Sequence, residues 1–388
     1  MKFCCLHRGK CVLELREARM PRAGTRYPRY GKGADQVERW VGSITGTGSG
    51  QDKARRSAID VAMNLPGGKR SGAAVCFRTA FAIVLSLFFV PCLGAQPQTD
   101  YHQHLFSPRI AKLAPGLNPL SAADLIALLD KAGIERAVVL SIAYQYSGAN
   151  RPAIEDEYAK VREENDWTSQ QVALYAERLR GFCSVNPLKD YAIGEIERCS
   201  RDPQLHYGLK LHFGNSDVDL DNPVHVEKLQ QVFHRANQHQ MAMVVHMRAS
   251  ITKKRPYGRK QAGIFLRDVL PAAPDVPVQI AHLAGAGGYD DPSIDEALSV
   301  FVDAIGKNDP RMAHVYFDVS GVAGYGEWEK KAVLIAKRIR QLGTSRVLFG
   351  SDGFGGGNLA PREAWAAFRR LPLSEEDFRV IETITAPW

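Results

Sequence analysis

The chain has 388 residues, 45% of them hydrophobic and 24% charged, with a formal charge of +8. That length suits two domains or one large barrel, and the composition is that of a protein with a sizeable apolar core. The first 95 residues carry 16 Lys+Arg and 6 Asp+Glu, so the 34 basic and 36 acidic residues that remain leave 96–388 at −2, and the body has no global electrostatic reason to bind nucleic acid.

The leader has two parts. Residues 1–62 are rich in Arg, Gly and Ser without sustained periodicity, and 42–50 (GSITGTGSG) is of low complexity, which predicts a disordered extension. From Met63 the order is a short run ending in Lys69-Arg70, an apolar stretch over 80–90, and Leu93-Gly94-Ala95. That is the build of a secretory signal peptide over 63–95, with an uncleaved N-terminal anchor as the alternative. The apolar stretch is short for a membrane span. A signal peptide that begins this late points to Met63 as the initiator and to 1–62 as an over-extended reading frame. The expectation is an exported protein, periplasmic or secreted, with no stable membrane association after cleavage. Five of the seven cysteines lie in the leader. Cys183 and Cys199 remain, read as two separate buried thiols, with a bridge as the alternative an oxidising compartment permits.

The body, 96–388, alternates strand and helix signals. A polar strand at 100–104 leads to an amphipathic helix over 125–132 with Ser121 as its N-cap. Further strands are predicted at 137–140, 181–185, 207–212, 241–246, 278–282, 315–319 and 346–350. Helices are predicted between them at 154–180, with a break near Asp166-Trp167, and at 191–199, 224–240, 263–270, 294–305 and 328–342. Two more, 362–369 and 375–383, close the chain. Eight apolar strands alternating with helices over about 290 residues predict a (β/α)₈ TIM barrel with an extra C-terminal helix. A doubly wound open sheet would carry a Gly-rich phosphate turn after its first strand, and none is present.

The polar residues at strand ends carry the chemistry. His102 and His104 lie two apart on one strand and so point the same way, as two imidazoles must to share one metal ion. Such a pair alone is weak. Here Lys210 and His212 end the fourth strand on one face, and His246, His282 and Asp352 follow the fifth, sixth and eighth strands. In a barrel all of these reach the same rim. His206, His225, His234, His239 and His314 fall elsewhere and read as surface or satisfied core residues.

With these residues in place the body resembles the amidohydrolase superfamily, in particular its second large branch, which includes aminocarboxymuconate-semialdehyde decarboxylase. The matching motifs are Asp100-Tyr-His-Gln-His104, Gly208-Leu-Lys-Leu-His212, Val244-Val-His246, Ala281-His282-Leu-Ala-Gly285, Tyr316-Phe-Asp-Val-Ser320 and Val347-Leu-Phe-Gly-Ser-Asp352. The resemblance implies that His102, His104, His246 and Asp352 ligate one divalent metal ion, zinc first and manganese second, and that His282 is the acid/base group. It gives Asp352 a second, catalytic role on the water, and Lys210 the option of bridging two metals as a carbamate. A metal that lowers the pKa of water beside an imidazole that titrates near neutrality is a consistent chemical pairing. Family members place an aromatic residue and a proline soon after the last Asp, whereas this chain continues Gly353-Phe-Gly-Gly-Gly357, a flexible loop expected to cover the pocket.

Lys210, His212 and Arg248 are the candidate substrate contacts. Arg248 opens the basic segment 247–255, which reads as a solvated loop or as a site for an anion at the barrel mouth. The sequence therefore predicts an exported metal-dependent hydrolase that uses metal-activated water on an amide, ester or lactone bond of a small, anionic substrate. The alternatives are a non-oxidative decarboxylase using the same residues and a catalytically silent binding barrel.

Overall fold

The computed structural model describes residues 96–113, 117–353 and 358–388. The expectations for 1–95, and for the glycine-rich run 354–357, lie outside the described residues. Eight parallel strands follow one another around the sheet in chain order. They are β1 (Thr99–Gln103), β2 (Arg136–Leu140), β3 (Leu179–Ser184), β4 (Gly208–His212), β5 (Ala242–His246), β6 (Val278–Ile280), β7 (Val315–Asp318) and β8 (Val347–Leu348). The connecting helices are α1 (Ala122–Ala132), α2 (Glu157–Ala173), α3 (Ala192–Cys199), α4 (Pro223–Gln238), α5 (Arg259–Ile264), α6 (Pro292–Gly306) and α7 (Trp328–Leu342). After β8 come α8 (Pro361–Phe368) and the extra helix α9 (Glu375–Thr383). The backbone closes the ring where β8 ends: Tyr101 N donates to Phe349 O (2.9 Å) and Asp352 N to His102 O (2.8 Å). The predicted TIM barrel with its extra C-terminal helix is the fold observed.

Local chemistry explains most element boundaries. The Ser121 hydroxyl accepts from Asp124 N while the Asp124 side chain accepts from Ser121 N, and α1 stops at Gly133 in the left-handed conformation (φ 72°), as a reciprocal cap and a C-terminal glycine dictate. Ser374 and Asp377 repeat that cap on α9. Pro223, Pro292 and Pro361 begin α4, α6 and α8, where the missing N–H would have had no partner. Strands β4 and β5 are buried at every residue, as strands covered on both faces are. At Gly208 a Cβ would collide with the Phe182 ring, so this glycine lets that ring fill the barrel interior.

The core has two shells. Outside the sheet, Leu209, Leu211, Val245, Ile280 and Phe317 pack with helix residues such as Leu229, Phe233, Phe265, Phe301 and Ile335. Inside it, Val138, Leu140, Phe182, Val244, Ala281 and Leu348 form a second cluster. The floor is aromatic: Trp388 meets Tyr101 and Tyr316 edge-on at 5.9 and 5.5 Å. The Tyr101 hydroxyl donates to Ile384 O (3.1 Å) and accepts from Ala386 N (2.9 Å). With the lower interior packed, the upper layer is left to polar side chains.

Several expected boundaries move. α2 runs unbroken through Asp166-Trp167 because its buried polar residues are satisfied: Asn165 donates to Ser184 O and to Glu195 and accepts from Ser141 and from Ser184 N. α5 begins four residues before the predicted start and widens into a π-turn, Phe265–Val269, before Pro271. Strand β6 stops at Ile280, two residues short of His282, for a reason taken up below. Among the described residues no helix is long and apolar enough to cross a membrane.

The reading of Cys183 and Cys199 as separate thiols is corrected. They form a disulfide across a sequence separation of 16, with Cα atoms 6.1 Å apart. Both side chains are fully buried, and the β3–α3 excursion brings the helix end back onto the strand it left. Closing a loop of that length stabilises by about 3 kcal/mol in the chain-entropy model. Cys199→Ser is expected to lower the unfolding free energy by roughly 2–3 kcal/mol in urea titrations. Peptide mapping without reductant should recover the two cysteines linked. Free thiols at both positions would refute the bridge.

Candidate metal centre

The site begins at the β1–β8 seam. Asp100, fully buried, accepts from His102 N (3.1 Å), Ser351 N (3.0 Å), Ser351 Oγ (2.7 Å) and Gln103 Nε2 (2.8 Å). Burial pushes its carboxyl up to about 6 against those donors. This carboxylate staples the first strand to the chain after the last one, which brings Asp352 to the two histidines. A Cβ on Gly350 would sit 2.7 Å from the His102 Cβ, so a glycine is required for that approach. Asp352 itself turns with φ 51°, an uncommon conformation outside glycine that is tolerated best by Asn and Asp.

Two imidazole nitrogens and one carboxylate oxygen converge there. His104 Nε2 lies 3.3 Å and His102 Nε2 3.8 Å from Asp352 Oδ1. The donor atoms of His102, His104 and Asp352 all fall within 4.8 Å of one another. Their tautomers suit a cation. His104 Nδ1 faces Leu140 O at 2.7 Å, and a carbonyl only accepts, so the ring proton is on Nδ1 and a lone pair is on Nε2. His102 Nδ1 faces Asp318 Oδ2 at 2.9 Å, which fixes the same tautomer. Burial, with the Lys210 ammonium beside it, pulls the His102 imidazole down to about 3. The contact with Asp318 is therefore a hydrogen bond from a neutral ring rather than an ion pair.

Asp318, at the end of β7, is the hub. Its Oδ2 also accepts from Gln279 Nε2 (2.6 Å). Its Oδ1 accepts from His282 N (3.0 Å), Ser320 N (3.1 Å) and Ser320 Oγ (2.5 Å). Burial opposes its charge, but His102 and these donors outweigh that and hold the carboxyl well below the usual range. Asp352 behaves likewise, burial being outweighed by His104 and its neighbours.

The hub explains the early end of β6. His282, Leu283 and Ala284 all have positive φ (56°, 50° and 65°), a left-handed turn without glycine that costs about 1–2 kcal/mol per residue. It turns the His282 N–H onto Asp318 and sets His282 Nδ1 against Ser320 O at 2.8 Å. Nδ1 thus carries a proton, and Nε2 is the ring nitrogen not committed to Ser320. The Tyr257 hydroxyl holds the far side of the turn at Ala284 O. Strain kept in this way marks a position where orientation matters more than local stability.

Strand β4 supplies the remaining polar groups. Lys210, 1% exposed, places Nζ 3.2 Å from His102 Nε2. Burial outweighs the attraction of Asp352 and Asp318 and brings its amine down to about 8. His212 pairs in register with His246 of β5, and the rings stack at 3.8 Å with 13° between planes. Burial, followed by the charges around them, holds both rings well below the usual histidine value. His246 also meets His282 edge-on at 4.9 Å.

The sequence model of the amidohydrolase family matches residues 99–383. The chain belongs to the amidohydrolase family. Among solved structures it is similar to 5-carboxyvanillate decarboxylase LigW from Sphingomonas paucimobilis, with 16% identity, a TM-score of 0.52, and 74% of this chain and 97% of that one covered. It is similar to the IDCase of Metarhizium anisopliae, with 14% identity, a TM-score of 0.50, and 74% and 95% covered. A probable 2-pyrone-4,6-dicarboxylic acid hydrolase from Acinetobacter baumannii gives 17%, 0.49, and 73% and 95%. At these identities the likeness is one of fold. No curated protein matches the chain.

For this amidohydrolase, the structure brings together His102, His104 and Asp352, three of the four predicted ligands, in one cluster of donor atoms. His246 packs on His212 and His282 at the edge of that cluster. Lys210, His212 and His282 line the same layer. Arg248 is engaged elsewhere: its guanidinium pairs with Asp291 (3.0 Å) and lies over the Tyr257 ring at 4.8 Å. The basic segment is likewise neutralised, with Lys253 and Arg255 on Asp217 and Arg255 also on Asp219. Asp318, Ser320, Gln279 and Asp100 were given no role by sequence reasoning, although Asp100 and the strand-seven motif stood inside the segments that carried the resemblance. An acidic residue at the end of a predicted strand was the available signal.

The donor set, two imidazole lone pairs and a carboxylate, fits a divalent cation such as zinc or manganese. Asp318→Asn keeps the shape but replaces the acceptor that fixes the His102 tautomer. The expected result is a 10- to 100-fold loss of divalent-metal affinity, measured by competition with a chromogenic chelator. An unchanged affinity would show that Asp318 only holds the backbone.

Proposed function

We propose that the chain is a metal-dependent enzyme acting on a small carboxylic acid, and that non-oxidative decarboxylation is the reaction its site fits best. The observation that carries this reading is the placement of Lys210. A fully buried ammonium stands 3.2 Å from His102 Nε2, against the donors that would hold the metal. Once a divalent ion offsets Asp352 and Asp318, this ammonium is left to receive an anion, and a carboxylate is the anion a decarboxylase must hold beside its proton donor.

In this reading His102, His104 and Asp352 hold the ion, with His246 completing the set. A divalent ion bound there supplies Lewis acidity toward a substrate oxygen. Lys210 steadies the negative charge of the substrate. As the C–C bond to the carboxylate breaks, carbon dioxide leaves and the electron pair stays on the substrate carbon. His282 Nε2, the one ring nitrogen of His282 not committed to Ser320, takes up a proton from solvent before the substrate binds and delivers it to that carbon. The histidines are 1–6% exposed, and such enclosure excludes water from the developing carbanion.

Hydrolysis, which the sequence suggested first, is the second reading. It uses the same ligands, with His282 moving the water proton, and it is favoured by the signs of export. The signal-like segment 63–95 supports translocation, and the Cys183–Cys199 bridge is of a kind that persists in oxidising compartments. We infer an exported protein whose mature form starts near Gln96. N-terminal sequencing of the protein from its native host checks this, and a cytoplasmic product retaining residues 1–62 would refute it.

Carbon dioxide release from a panel of small aromatic and aliphatic carboxylic acids, run beside amide, ester and lactone hydrolysis, separates the two reactions. His282→Asn is expected to keep the metal while losing about 10²–10⁴ in rate. His102→Ala should lose metal and activity together. A His282→Asn variant that loses its metal as fully as His102→Ala, or that turns over at near-normal rate, would overturn the role given to His282.

A further inference from the structure

His212 differs from the other rim histidines in where its proton lies. Its Nδ1 accepts a hydrogen bond from the backbone N–H of Asn215 at 3.0 Å, which caps the single helical turn Phe213–Ser216. A backbone N–H can only donate, so Nδ1 holds the lone pair. The ring is 6% exposed, and an imidazole whose Nδ1 accepts this bond has no proton there and is neutral. In a neutral imidazole the other nitrogen must then carry the proton. His104 and His282 have the opposite tautomer, fixed by Leu140 O and Ser320 O. They offer lone pairs on Nε2, whereas His212 offers an N–H.

Three contacts keep that N–H in place. The ring stacks on His246 at 3.8 Å, Tyr144 lies against it at 5.0 Å, and the Asn215 N–H fixes its rotation. Among the described residues no group accepts from Nε2. An imidazole bound to a metal through Nε2 needs a lone pair there, so this tautomer excludes His212 from the ligand set. His212 lies two residues beyond Lys210 on the same face of β4.

We propose that His212 is a substrate-binding residue whose Nε2–H donates to an oxygen of the substrate carboxylate, beside the Lys210 ammonium. The proposal rests on the carboxylic-acid reading above and deepens it. Strand β4 becomes the anion-recognition strand of the barrel, pairing one charged donor with one neutral donor. The neutral donor supplies direction where the ammonium supplies charge. A substrate with an amide or ester in place of the carboxylate presents a weaker acceptor and is disfavoured at this corner.

Two substitutions separate this role from capping. Asn at 212 can still accept from Asn215 N, since its side-chain oxygen reaches the place of Nδ1, but it has nothing at the place of Nε2. Gln reaches the place of Nε2 with an amide N–H. Benzoate serves as the probe, its binding to metal-loaded protein measured by calorimetry beside metal content and thermal midpoint. His212→Asn is expected to weaken benzoate roughly 10- to 100-fold, the range of a hydrogen bond to a charged acceptor, with metal content and midpoint kept. His212→Gln should recover part of that loss. The proposal is overturned if His212→Asn binds benzoate like wild type, if it loses its metal, if His212→Gln binds no better than His212→Asn, or if metal-loaded wild type fails to bind benzoate. Wild type that holds no metal counts against the metal reading itself, whereas full metal with an indifferent benzoate constant counts against His212 alone.

Discussion

The Asp318 carboxylate is the constraint on which the rest of the site depends. It is buried without a counter-ion in direct contact, and it stays ionised because its two oxygens collect N–H and O–H donors from His102, Gln279, His282 and Ser320. A buried charge is tolerated only when it is satisfied in this way. The donors come from β1, β6, the turn after β6 and the chain after β7. Satisfying one charge therefore sets the tautomer of His102 and the backbone of His282 together. The left-handed turn at 282–284 is the local cost of that arrangement, and it is borne at the residue proposed to carry the proton.

Asp100 plays the corresponding part at the seam. An open eight-stranded sheet with the same sequence of elements would leave Asp352 far from His102. The four hydrogen bonds to Asp100, two of them from Ser351, and the backbone bond from Asp352 N to His102 O convert closure of the barrel into assembly of the metal cluster. Ring closure and ligand geometry are thus one structural event. The small residues there follow from it, since at Gly350 a side chain would press on His102.

Much of this was legible in the sequence because its signals are periodic. Alternation on strands put His102 with His104 and Lys210 with His212 on common faces, and the count of eight apolar strands implied a common rim. What was not legible depends on contacts between distant segments. The role of Asp318 follows from a hydrogen bond spanning 216 residues, and no local pattern encodes that. The turn at His282 reads as strand because Val278, Ile280 and Ala281 are apolar, and tertiary bonding overrides that propensity. The basic loop that opens at Arg248 left both a solvated loop and an anion site open as readings because its partners, Asp291, Asp217 and Asp219, lie 36 to 43 residues away. The cysteine bridge was undecidable for the same reason.

The electrostatics of the layer draw these parts together. Asp318 and Asp352 are ionised, Lys210 is the ammonium among them, and His102, His212 and His246 are neutral. Negative charge is therefore in excess inside the ring of histidines, and a divalent cation on His102, His104 and Asp352 offsets it. Once it is offset, β4 presents the Lys210 ammonium beside His102 and an N–H on His212 oriented by the Asn215 contact. The floor of aromatic and aliphatic side chains keeps water from entering below, so these charges act on one another through a medium of low polarity. A substrate carboxylate entering from the rim would meet a cation on one side and a directed donor on the other, with the His282 nitrogen within the same layer.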